Sequence, residues 1–256
     1  MNLPKEYIDI YREYLKTINE ITKDVRAIRR KQKFISKTEE IKNGQLRLID
    51  QSSKSKIYTF ENGDTYIGKL VEGKMDGRGT YFFVDDNDRT VEYTGEFKED
   101  MKHGKGMYTL ANGNVYIGNF ENDLISGIGQ MCYTSQNEYI GNWEKGLKNG
   151  HGIYRWSEGT TYIGEFRKSN MDGKGVCLDK DGNIIYDGEW KNNLVHGHGT
   201  YYWEEGKWYV GEFVQGKKHG FGTFYIDNEL AYEGTWKFDK PCIFNRSLDE
   251  IFSIKL

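Results

Sequence analysis

The stretch Tyr139-Ile140-Gly141-Asn142-Trp143-Glu144-Lys145-Gly146-Leu147-Lys148-Asn149-Gly150-His151-Gly152 decides the fold. An aromatic residue, a glycine and a second aromatic stand at alternate positions, and a Gly-x-Gly pair follows. The same arrangement opens at Tyr66, Tyr93, Tyr116, Tyr139, Tyr162, Tyr186, Tyr209 and Tyr232, in steps of 27, 23, 23, 23, 24, 23 and 23 residues. Self-similarity at such a period identifies a solenoid, in which each unit buries its apolar surface against its neighbours.

Counted from each opening tyrosine, glycine stands at offset 2 in all eight copies and at offsets 11 and 13 in the first seven, which accounts for 22 of the 31 glycines. Offset 4 is large and mostly aromatic: Leu70, Phe97, Phe120, Trp143, Phe166, Trp190, Phe213 and Trp236. Alternate residues of a strand share a face, so the repeat reads as a hairpin, with strands over offsets 0–5 and about 10–17. Turn-forming residues at offset 7, such as Asp100, Gly146 and Asn193, lie between them. Pairing the strands so that opposed offsets sum to 15 sets the offset-4 ring against the glycine at 11, and Gly 2 against Gly 13. Placing offset 17 opposite the next tyrosine brings Gly 13 beside the next offset-4 ring. The glycines are then expected to make room for that ring across the sheet. The opposite face reads polar, from Lys69, Glu96, Asn119, Asn142, Glu165, Glu189, Glu212 and Thr235 at offset 3.

The string from Tyr139 to Gly152 resembles the MORN repeat, whose pattern is roughly YxGxWxxGxxHGxG, and Tyr209 to Gly222 with His219 matches it as well. The resemblance covers about residues 66 to 236. Leu70 departs from it in the first copy, and Asp76, Ser126, Asn149 and Asp172 replace the frequent His. It implies a single-sheet solenoid of about seven to eight β-hairpins that is not itself catalytic and serves assembly or protein contact, with phospholipid contact proposed for some members. Tyr139, Gly141, Trp143, Gly150 and Gly152, and likewise Tyr209, Gly211, Phe213, Gly220 and Gly222, are then structural repeat positions.

The N-terminal segment is a different material. From Pro4 to about Glu40 there is no glycine, and apolar residues fall at Tyr7, Tyr11, Tyr14, Ile18, Ile21, Val25 and Ile28, a 4-3-4-3-4-3 spacing. That is a heptad seam, the signature of a helix that packs against a helix or a groove. A helix of this extent runs to roughly 55 Å, and seven hairpins make a sheet of roughly 65 Å. The seam fits a partner protein or the chain's own sheet, and three successive tyrosines favour an interface with a polar rim. Arg29 and Arg30, in the basic cluster with Arg26, Lys31 and Lys33, belong to the same candidate partner-binding set.

Charge divides along the same boundary. Residues 1–45 carry 11 Lys+Arg against 7 Asp+Glu, so the rest holds −7 of the chain's net −3. An acidic repeat region argues against broad attachment to nucleic acid or anionic lipid. No apolar run approaches 18 residues and no hydrophobic signal region opens the chain, so neither membrane spanning nor secretion is expected. Cys132, Cys177 and Cys242 lack ligand spacing and read as reduced packing residues.

Candidate chemistry is sparse. The Gly-x-Gly pairs precede strands rather than helices, unlike phosphate loops. Of the histidines, His196 and His198 alone are close enough in sequence to approach one another. Asp85-Asp86-Asn87-Asp88 lacks the glycine and closing glutamate of a calcium loop. No catalytic, cofactor or metal residue is expected. Ser247-Leu248-Asp249-Glu250 before Ile251 forms a capping-box pattern, so a short C-terminal helix is expected to close the sheet.

The organisation expected is a helix over 1–45, a linker with a capping strand over 46–65, the solenoid over 66–240 and a cap over 241–256: mainly β, with one long helix. The function expected is a non-enzymatic scaffold or adaptor for other proteins. Small repeat-only members of the resembled family point to the cytoplasmic cytoskeleton, most of all the axoneme of a cilium or flagellum and its radial-spoke heads. The alternative is a phosphoinositide- or membrane-associated adaptor that positions an enzyme.

Overall fold

The computed structural model describes residues 5–37, 41–42, 45–46, 56–84, 89–203 and 206–242. The chain is mainly β, with one helix, Lys5–Lys37, followed by antiparallel hairpins in chain order. It forms two compact units, Pro4–Gly150 and His151–Leu256. In the first, a strand at Lys56–Thr59 pairs with Thr65–Gly68, which pairs with Gly77–Val84, and each strand from there through Glu138–Glu144 pairs with the one before it, while the short strands Leu70–Val71 and Lys74–Met75 pair with each other. In the second, the same meander runs from Thr161–Arg167 to Lys240–Pro241. Among the described residues neither run closes on itself.

The turn is a two-residue one of the type I′ kind. Offsets 6 and 7 both take positive φ, as at Asn122 (48°) and Asp123 (68°), which matches the twist of the flanking strands. Within each unit the later turns are stitched to the preceding repeat. The Asp123 N–H donates to the Lys102 carbonyl (2.9 Å), and Asp123 Oδ1 accepts the Lys102 N–H (2.9 Å). Asn193 does the same for Met171, and Asp239 for Lys218.

The register corrects the expected one. Opposed offsets do sum to 15 at the start of each hairpin, as in Tyr116↔Met131 and Gly118↔Gly129, but a bulge follows and the partner of Phe120 is Ile125, at offset 9. The ring at offset 4 instead opposes Gly 11 of the preceding repeat: Phe120↔Gly104, Trp143↔Gly127, Trp190↔Gly173. Across repeats the next tyrosine meets offset 15, not 17, as in Tyr116↔Tyr108. Gly95, Gly118, Gly188 and Gly211 at offset 2 therefore each lie between two Gly 13 residues.

The ring those glycines accommodate is the opening tyrosine, not the offset-4 residue. A Cβ at Gly118 or Gly129 would stand 2.2 or 2.1 Å from the Tyr116 hydroxyl. The tyrosine lies flat along its own strand, and its hydroxyl donates to the carbonyl three residues on, from Tyr66 to Lys69 (3.2 Å) through Tyr232 to Thr235 (3.2 Å). This bond is why the position is Tyr rather than Phe: the phenol is buried and its donor must be satisfied. From Tyr93 on, each of these rings packs edge-on against the offset-4 ring of its own repeat and, within each unit, against that of the next, as Tyr116 does with Phe120 (5.1 Å) and Trp143 (5.6 Å), while Tyr66, whose own offset 4 is Leu70, packs only on that of the next, Phe97 (5.2 Å). Trp143, Trp190 and Trp236 also donate their indole N–H to the Gly 13 carbonyl of the preceding repeat, each at 3.1 Å.

Candidate functional site

The strands present two faces with different fates. On the face opposite the rings, offsets 1 and 14 align into a row. In the first unit it runs Ile67, Thr80, Thr94, Met107, Ile117, Gln130, Ile140. The expected polar face is therefore corrected: offset 3 is polar, but its neighbours are largely apolar and carry the helix.

The helix lies across the five strands from Gly77–Val84 to Leu124–Cys132. It runs against the order of the repeats. Tyr14 accepts a hydrogen bond from Asn142 Nδ2 (3.1 Å), Asp24 stands 3.9 Å from Lys105 Nζ, and Arg29 grips Glu92 Oε1 through Nε (3.0 Å) and Nη2 (2.6 Å). Glu92 is held for this by the Thr94 hydroxyl (2.8 Å). Tyr7, Tyr14, Ile18, Ile21, Val25 and Ile28 are buried, Ile21 completely, while Tyr11 is half-buried and Arg30 exposed. The structure thus resolves the alternative left open by the seam: it packs on the chain's own sheet, and a partner would have to displace the helix to reach it. Burial pushes the Tyr14 phenol up to about 12.

The other face carries the aromatic ladder, and above it the outer residues at offsets 15 and 17. In the second unit these include Tyr154 against Trp156 (4.8 Å) and Tyr201 against Trp203 (4.5 Å), with Trp203 40% exposed. In the first unit Tyr81, Phe83 and the exposed Phe60 occupy the same level. Lysines at offset 9 lie over rings of both levels of this face: Lys102 over Tyr108 (5.4 Å), Lys148 over Tyr139 (5.5 Å), and Lys218 over Trp236 (4.5 Å) and Trp203 (5.0 Å). Burial lowers the Lys148 and Lys218 pKa.

Tyr139 and Tyr209 are fully buried and Trp143 and Phe213 nearly so. Gly141 pairs with Gly129, and Gly211 and Gly222 flank the Tyr209 ring. Gly150 and Gly220 take φ of +83° and +62°, beside the side chains of Asn142 and Glu212, and Gly152 lies in the strand Leu147–Arg155. The row at offsets 1 and 14 was missed, although isoleucine at 67, 117, 140 and 163 signals it.

Among the described residues no group of three His, Cys, Asp or Glu side chains is placed to hold a metal. His103 and His219 each keep a buried Nδ1 without a hydrogen-bond partner. Burial pushes the Cys177 thiol up to about 11, in keeping with a packing role, whereas Cys132 and Cys242 are exposed, which corrects the packing role expected of them. The acidic loop 85–88 and the cap expected at Ser247–Glu250 lie outside the described residues. No described helix is long and apolar enough to cross a membrane.

The family model of the MORN repeat matches residues 66–87, 93–115, 116–138, 139–161, 162–184, 186–207, 209–229 and 232–242. No curated protein matches the sequence. Among solved structures, the chain is similar to the TCP10 domain of Danio rerio CPAP in complex with a peptide of STIL, at 11% identity over 70% of this chain and 73% of that one, with a TM-score of 0.31. It is also similar to the TCP domain of Drosophila melanogaster SAS-4 in complex with a proline-rich motif of Ana2, at 10% identity over 77% of this chain and 98% of that one (TM-score 0.33). A streptogramin B lyase gives 10% identity over 78% and 76% of the two chains (TM-score 0.20).

Proposed function

The chain belongs to the MORN repeat family, generally a non-enzymatic repeat scaffold, and from that premise we propose that it holds other proteins along its aromatic face within a cytoskeletal assembly. The observation that carries this reading is the division of labour between the two faces. In the first unit the helix already occupies one face, and in each unit the other face keeps an outer level of aromatic rings above a packed ladder. Aromatic residues with a polar rim are the material of protein interfaces. The net −7 of the residues after 45 supports proteins over anionic lipid as the partner class. The assembly we propose is the axoneme of a cilium or flagellum, with the chain located in the cytoplasmic cytoskeleton.

The test is fractionation of cells expressing the tagged full-length chain, together with sedimentation of the purified protein with phosphoinositide vesicles. The reading expects the chain to stay with the detergent-insoluble cytoskeleton and to remain in the supernatant with vesicles at ordinary salt. Extraction with the membranes and salt-sensitive cosedimentation would instead support the phosphoinositide-associated adaptor.

A further inference from the structure

The repeats can be compared with one another at offset 9, where Met75, Lys102, Ile125, Lys148, Met171, Val195, Lys218 and Pro241 stand in turn. Lys218 holds its Nζ between 4.5 and 5.8 Å from the ring centroids of Trp203, Tyr209, Phe224 and Trp236. The carboxylate beside it, Asp239, comes from offset 7 of the following repeat and accepts the Lys218 N–H at 2.9 Å. Lys102 repeats the arrangement, with its Nζ 2.9 Å from Asp123 and 5.4 Å from the centroid of Tyr108. An offset-9 ammonium is thus held beside aromatic rings twice within this chain, among four rings at Lys218 and by one ring together with the offset-7 carboxylate at Lys102, as the attraction of a cation for π faces and a nearby negative charge requires.

At the first repeat the lysine is missing. Met75 occupies offset 9, and Asp100 at offset 7 accepts the Met75 N–H (2.7 Å). A cavity of about 250 Å³ opens there, walled by Tyr81, Phe83, Tyr93 and Phe97 and by the carboxylates of Asp64 and Asp100. Lys102, also on its wall, is paired with Asp123. Asp64 is met by neutral donors, the Tyr81 hydroxyl and Asn62 Nδ2 (2.7 Å). Among the described residues no lysine or arginine forms an ion pair with Asp64 or Asp100.

We propose that this cavity binds an organic cation, the ammonium or guanidinium group of a lysine or arginine side chain or of a free alkylamine, in the place that Lys218 fills for itself in the later repeats. The inference goes beyond the scaffold reading and does not depend on it.

The experiment titrates the full-length protein, labelled on its tyrosine and phenylalanine rings, with n-butylammonium, with the capped tripeptide Gly-Lys-Gly, and with n-butanol as a neutral control, followed by NMR. The proposal expects saturable shifts of the Tyr81 and Phe97 ring signals with both cations and none with butanol. Asp100→Asn should weaken binding by at least about fivefold. This variant keeps the fold, because Asn193 already makes the same bond to Met171 that Asp100 makes to Met75. Met75→Lys rebuilds the Lys218 arrangement and should abolish binding while raising the melting temperature. A tripeptide that binds about tenfold tighter than the amine assigns the site to a side chain of another protein, and equal affinities assign it to free amines. No saturation, an equal response to butanol, or unchanged affinity in either variant overturns the proposal.

Discussion

Gly129→Ala should destabilise the repeats by about 1.5 to 3 kcal/mol, a magnitude that follows from the geometry around one ring. A Cβ at Gly129 would stand 2.1, 2.4 and 2.5 Å from Oη, Cζ and Cε2 of Tyr116, far inside contact distance. The ring cannot step aside, because it is fully buried, edge-packed on Phe120 and Trp143, and bonded to the Asn119 carbonyl at 3.1 Å. Overpacking of this kind costs about 1 to 3 kcal/mol, and a displaced hydroxyl forfeits a hydrogen bond of about 1 kcal/mol. Against this, alanine lowers the entropy of the unfolded chain, which returns about 0.4 to 1 kcal/mol. Gly129 does not have positive φ, so no backbone strain enters. The assay is urea denaturation followed by circular dichroism, with Tyr116→Phe and the double variant completing a cycle. Removing the hydroxyl takes away the atom closest to the new methyl, so Gly129→Ala should be less damaging in the Tyr116→Phe background than in the parent. A Gly129→Ala variant within about 0.5 kcal/mol of the parent would refute the assignment of these glycines to the tyrosine ring.

Gly146→Asp should be neutral or stabilising by up to about 1 kcal/mol, because Asp123 and Asp239 occupy the equivalent turn position with positive φ and accept a backbone N–H of the preceding repeat; thermal melts decide it. Ile21→Asp should lower the melt of the whole protein and expose the helix to protease, since Ile21 is fully buried and an unpaired charge there must force the helix off the sheet; an unchanged melt would mean that the helix adds nothing to its own solenoid. Arg29→Ala should cost only about 0.2 to 1 kcal/mol, less at high salt, because the Arg29–Glu92 pair is partly exposed. Tyr14, Tyr81 and Tyr209 are pushed up to about 12, chiefly by burial. A phenol raised in the folded state contributes stability that is complete below its unfolded value near 10 and is lost as pH climbs through the folded one, so stability should fall between about pH 10 and 12. Denaturant melts across that range, with tyrosinate absorbance alongside, test it.

Much of this arrangement is written in the spacing. The period, the hairpin, the turn at offset 7 and the helix seam all follow from residue identities, because strand alternation, turn chemistry and heptad geometry are local. Two features were not legible for a physical reason. Counting by twos assumes unbroken pairing, whereas the positive φ of Gly104 or Gly127 inserts a bulge that shifts the register by two residues on one side of the strand and not on the other. A glycine's purpose is likewise invisible until the ring over it is known, and Tyr116 reaches Gly118 and Gly129 by lying along its strand rather than across the sheet. The covered face was obscured because offset 3 is polar. Its residues serve the strands themselves: Glu212 Oε1 accepts the Phe221 N–H (3.0 Å) and Glu165 Oε1 the Lys174 N–H (2.9 Å). Whether the seam met its own sheet or another chain depended on pairs such as Arg29 with Glu92, 63 residues apart, which no local pattern records.

The central claim, that the aromatic face is the one that holds other proteins, is tested most directly by photo-crosslinking in cells with benzoylphenylalanine placed singly at exposed positions of each face. Trp203 and Phe60 report on the aromatic face, and Val210 and Phe221 on the face opposite in the second unit. The account predicts discrete protein adducts from Trp203 and Phe60 and few from Val210 and Phe221. Adducts confined to Val210 and Phe221, or lipid adducts alone, would contradict it.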